Sequence, residues 1–111
     1  MKILIWGAAN AGKNIYYSLP DDAEVTAFID SSIIKQGKTY LGIPVIPETD
    51  IPGHDFDLLI ISHTQAAAVT ARLTGETGIP REKILDPYYR GYIDPRRNML
   101  RLLGDEIRKK N

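Results

Sequence analysis

Short unbroken apolar runs alternate along this chain with stretches in which apolar residues recur every three or four positions. Lys2–Gly7 (KILIWG) is apolar without alternation, the pattern of a strand covered on both faces, as in a parallel sheet. From Asn10 to Leu19 the residues Ala11, Ile15 and Leu19 fall at i, i+4 and i+8, the core-facing stripe of a helix that Pro20 ends. Glu24–Asp30 (EVTAFID) reads as a second strand. Gly42–Ile46 (GIPVI) reads as a third, placed at a sheet edge because Pro44 lacks a ladder donor. Pro47–His54 is a loop with at most one helical turn. Phe56–Ser62 (FDLLIIS) is the most apolar run and reads as a central strand. Gln65–Thr77 carries Ala66, Val69 and Leu73 at helical spacing, and Ile84–Leu85 is a short last strand. Asp94 then caps a final helix with Pro95 at its first position and Leu100, Leu103 and Ile107 as its stripe.

Strands alternating with helices imply parallel pairing through right-handed crossovers. The expected fold is α/β: a small doubly wound parallel sheet of order 3-2-1-4-5, followed by a C-terminal helix. Residues 1–87 form the domain, and residues 88–111 form a tyrosine-rich linker (Tyr88, Tyr89, Tyr92) and the amphipathic helix. Ligands bind such sheets outside the carboxyl ends of the strands, where the strand order reverses. That rule selects the loops Gly7–Gly12, Asp30–Ser32 and Ser62–Gln65.

The first loop, Gly7-Ala8-Ala9-Asn10-Ala11-Gly12, leads straight into a helix. Gly7 permits a tight turn, Gly12 allows close packing, and the free N–H groups of the first helical turn face an anion. Ala9 stands where the dinucleotide fingerprint has its middle glycine, and its methyl crowds a dinucleotide phosphate without abolishing an anion site. Asp30, 18 residues after Gly12, stands where such sites keep a ribose-hydroxyl acceptor, with Ser31 and Ser32 beside it. Lys35 and Lys38 follow and read as a solvated loop, with contact to a phosphate as the alternative. The same loop is one residue from a nucleotide-triphosphatase P-loop, but Asn14 replaces the magnesium-binding hydroxyl. Ser62 and His63 end the central strand beside the glycine loop. No second group at a telling spacing supports catalysis by His63, so no catalytic residue is assigned.

Composition narrows the chemistry. The 111 residues contain no cysteine and two histidines, which excludes thiolate chemistry and argues against a metal site. No apolar run approaches the ~18 residues of a membrane span, and a cytoplasmic location is expected. The charges, 14 basic and 14 acidic, cancel and give no nucleic-acid footprint. They are unevenly spread: residues 1–80 hold 5 basic and 9 acidic side chains, a net −4, and residues 81–111 hold 9 and 5, a net +4. With the tyrosines and the terminal stripe, this points to a homodimer or a partner domain docked through the tail.

The segments KILIWGAANAGKNIYYSL, VTAFIDSS, QGKTYLGIPVI, DLLIIS and GIPREKIL resemble a bacterial module over about residues 2–86. It is similar to the Rossmann-like N-terminal domain of nucleotide-sugar acyltransferases. It is also similar to domains that precede S-adenosylmethionine-dependent methyltransferases of polysaccharide and natural-product pathways. The resemblance implies a nucleotide-sugar held by Gly7–Gly12 and by Asp30 with Ser31 and Ser32. The catalytic groups of those acyltransferases lie in a following domain. The expected function is therefore a non-catalytic nucleotide or nucleotide-sugar binding module associated with a sugar-modifying transferase. Two alternatives stand beside it: an NAD(P)-binding redox domain, and a structural or docking domain with a vestigial site.

Overall fold

A computed structural model of the chain describes residues 1–62 and 66–85. The expected helix Asp94–Lys110, the tyrosines Tyr88, Tyr89 and Tyr92, and His63 lie outside them. Strand β1 (Lys2–Trp6) leads through helix α1 (Asn10–Ser18) to β2 (Glu24–Ile29). Strands β3 (Thr39–Tyr40) and β4 (Ile43–Ile46) follow, then a 3-10 turn at Glu48–Gly53 and β5 (Leu58–Ile61). Helix α2 (Ala66–Glu76), a 3-10 turn at Arg81–Lys83 and β6 (Ile84–Leu85) complete the described elements. Among the described residues no helix is long and apolar enough to cross a membrane.

The unbroken apolar runs have the predicted consequence. β1 lies at the sheet centre, parallel to β2 on one side and to β5 on the other, with Ile3–Trp6 in register with Leu58–Ile61. Successive side chains of a strand leave on opposite faces. Ile3, Ile5, Phe28, Leu58 and Ile60 therefore pack with Ile15 of α1, whereas Leu4, Ala27, Ile29, Leu59 and Ile61 pack with Val69 and Leu73 of α2. Burying such a side chain contributes about 1.5–3 kcal/mol, so this sheet core is the main source of stability.

The expected 3-2-1-4-5 run is present as β4-β2-β1-β5-β6, and the sheet departs from it by an added edge strand, β3. The sheet has six strands in the order β3-β4-β2-β1-β5-β6 and is mixed, mostly parallel, because β3 pairs antiparallel with β4. The Gly42–Ile46 segment is therefore not an edge. Tyr40 and Ile43 face each other across the two-residue turn Leu41-Gly42, whose φ angles of 53° and 77° are both left-handed. Hairpin turns of this hand favour asparagine and glycine, so a leucine in the first position hid the turn. Pro44 is tolerated because the parallel ladder with β2 begins only at Val45.

How β1 leaves the sheet fixes the position of the glycine loop. Gly7, at φ 118°, donates its N–H to the Ile29 carbonyl at 2.6 Å and extends the β1–β2 pairing. A Cβ on Gly7 would lie 2.3 Å from the Ser62 hydroxyl oxygen, and one on Gly12 would lie 2.0 Å from the Gly7 carbonyl oxygen. Helix α1 thus sits directly on the turn. Gly12→Ala is expected to lower the unfolding free energy, measured by urea titration, by at least ~2 kcal/mol. Gly75→Ala, in α2 with open space around the added methyl, is expected to raise it by about 0.5–1 kcal/mol. Equal effects at the two positions would contradict the packing described.

Candidate functional site

The glycine loop opens α1 without a cap. Ala9 occupies the N-cap position in extended conformation, has no side chain able to accept a hydrogen bond, and is followed by no acidic residue in the first turn. No described group accepts a hydrogen bond from the N–H groups of Asn10, Ala11 or Gly12. These donors, with the positive end of the helix dipole, form an anion-attracting end.

Asp30 follows β2 and is turned towards the loop. Its Oδ2 accepts the Ala8 N–H at 3.0 Å and its Oδ1 accepts the Ser32 N–H at 2.9 Å. Gln36 Nε2 donates to the Asp30 carbonyl at 2.8 Å. Lys35 Nζ lies 3.8 Å from Asp30 Oδ2 and donates to the Ala8 carbonyl at 2.9 Å. Ala8 is thus gripped on both sides, by its N–H and by its carbonyl.

Beside this clasp lies a cavity of about 420 Å³. Ala8, Ala9 and Asn10 line it with Lys35 and Lys38, and Ile34 and Tyr40 give it an apolar side. The Tyr40 ring is fixed edge-on against Phe28, with centroids 5.1 Å apart. The new hairpin therefore supplies part of the cavity wall.

The remaining expected site residues scatter. Ser62 is buried, and its hydroxyl donates to the Trp6 carbonyl at 2.7 Å. It holds the β1 exit and does not line this cavity. Ser31 lines a different cavity, of about 540 Å³, with Trp6, Gln36, Glu48, Thr49 and Arg72. Ser32 contributes its backbone N–H to Asp30. Gly7, Ala11 and Gly12 shape the loop and the helix start. Among the described residues no cluster of three or more His, Asp or Glu is placed to hold a metal ion.

Sequence spacing gave no signal for the second cavity's central group. Glu48 Oε1 accepts the Trp6 indole N–H at 2.9 Å, and both Glu48 oxygens accept from the Arg72 guanidinium, at 2.5 and 3.0 Å. Residues 42 and 24 positions apart meet because β1, the turn after β4 and α2 converge at this end of the sheet. The fork-to-fork geometry is the strong form of the pair.

Residues 1–85 match the family described as C2185-like, N-terminal, and the chain belongs to that family. No curated protein matches it.

The Arg72 hydrogen bonds hold the Glu48 carboxyl below its ordinary value of 4.5, against the opposing effect of partial burial. A depressed folded-state value gives stability that is complete above the unfolded value and is lost as pH falls from there through the folded one. The melting-temperature gap between the wild type and Glu48→Gln should therefore be constant from pH 7 to about pH 5 and shrink progressively below 4.5. A gap unchanged down to pH 3 would contradict the pair's contribution.

Proposed function

We propose that this C2185-like N-terminal domain is a non-catalytic binding module for a nucleotide or nucleotide-sugar, serving a sugar-modifying transferase. The observation that carries the reading is the uncapped start of α1 opening on the 420 Å³ cavity beside Lys35 and Lys38. Orphan backbone donors, a helix dipole and two ammonium groups suit phosphate oxygens. The apolar side formed by Ile34 and Tyr40 suits the flat face of a base. The Rossmann-like resemblance of residues 2–86 supports the same class of ligand.

Ala9→Asp separates this reading from a purely structural turn. The extended N-cap conformation of Ala9 lets an aspartate accept the orphan N–H groups and stabilise the protein by about 0.5–2 kcal/mol. The same carboxylate occupies the phosphate position. We predict that uridine 5′-diphosphate shifts the amide NMR signals of Ala9–Gly12 in the wild type. In Ala9→Asp the melting temperature should rise and the titration shifts should vanish. A more stable Ala9→Asp protein that binds the nucleotide unchanged would overturn the proposal.

A further inference from the structure

We infer that Asp30 is a positioning residue of this site, and that Lys35, which it holds in place, is the side chain that meets the ligand's phosphate. The inference deepens the anion-binding reading above and rests on it. Asp30 stands where the sequence pattern expects an acceptor for ribose hydroxyls, and such an acceptor must offer its oxygens outward. Here each oxygen already holds a backbone N–H, of Ala8 and of Ser32, and the side chain is only 16% exposed. The backbone of Asp30 is fixed as well: its N–H donates to the Ile46 carbonyl at 3.1 Å, and its carbonyl accepts from Gln36. The residue is pinned between the glycine loop, β4 and the turn after β2.

Lys35 is placed differently. Its side chain is 44% exposed and lines the cavity. An ammonium carries three donors, and one is spent on the Ala8 carbonyl. The other two are available to phosphate oxygens. The Ala8 carbonyl at 2.9 Å and the Asp30 carboxylate at 3.8 Å together set where that ammonium sits. Removing the Asp30 charge therefore acts on the ligand through Lys35 and the Ala8 loop, and it acts on any phosphate ligand whether or not a ribose is attached.

Calorimetric titration with inorganic pyrophosphate and with uridine 5′-diphosphate tests this on the whole chain. Lys35→Ala should weaken both ligands by ~10-fold or more, the loss of a charge-assisted hydrogen bond, and Lys35→Arg should restore part of the affinity for both. Asp30→Asn should change both affinities by the same factor, within about twofold, and should have a smaller effect in the Lys35→Ala background than in the wild type, as groups acting as one unit are non-additive. A loss confined to the uridine nucleotide on Asp30→Asn, with pyrophosphate binding untouched, would place Asp30 on the ribose and overturn the inference alone. Lys35→Ala with undiminished pyrophosphate affinity would also overturn it, and this variant alters an exposed side chain, so it remains informative if Asp30→Asn fails to fold. Wild-type protein that binds neither anion would overturn the phosphate seat itself and the inference with it.

Discussion

In this domain a strand covered on both faces leaves its sheet through a gap with no room for a side chain at Gly7 or Gly12. β1 is such a strand: Ile3, Leu4 and Ile5 are fully buried, with α1 on one face and α2 on the other. At its end the backbone of Gly7, the start of α1 and the buried Ser62 meet at distances that a single added methyl would violate. That close approach brings the first turn of α1 to the carboxyl end of the sheet. It also leaves the N-cap to Ala9, which cannot satisfy the helix's first donors. The anion-attracting end of the domain follows from how the core is packed.

The loop is then held from the side. Asp30 takes the Ala8 N–H and Lys35 takes the Ala8 carbonyl, so the glycine loop and the turn after β2 form one clasped unit. Beyond it, Glu48, Arg72 and Trp6 join the turn after β4 and α2 to β1. The two clusters divide the carboxyl end of the sheet. One leaves unsatisfied donors and exposed ammonium groups around an open cavity. The other satisfies its charges internally. This difference is why the proposed phosphate seat is the first.

Much of this was legible in the chain because the responsible signals are local. Unbroken runs marked β1 and β5, and the spacing of Ala66, Val69 and Leu73 marked α2, because burial on two faces or on one stripe writes itself into consecutive residues. The β3–β4 hairpin was not legible, because Leu41 occupies a left-handed position that asparagine or glycine usually announces. Nor was the orientation of Asp30. Spacing places a residue at the end of a strand, but which donors its carboxylate meets depends on the loop 22 positions earlier. The Glu48–Arg72–Trp6 group was invisible for the same reason: only the converging elements bring its members together.

The position of a bound phosphate is the central question for this domain. The most direct measurement is a crystal structure of the protein grown with uridine 5′-diphosphate. A phosphate should lie within hydrogen-bond distance of the Asn10–Gly12 amides and of Lys35 Nζ, with the Asp30 carboxylate still bonded to Ala8 and Ser32. A nucleotide bound elsewhere, with the start of α1 left empty, would contradict this placement.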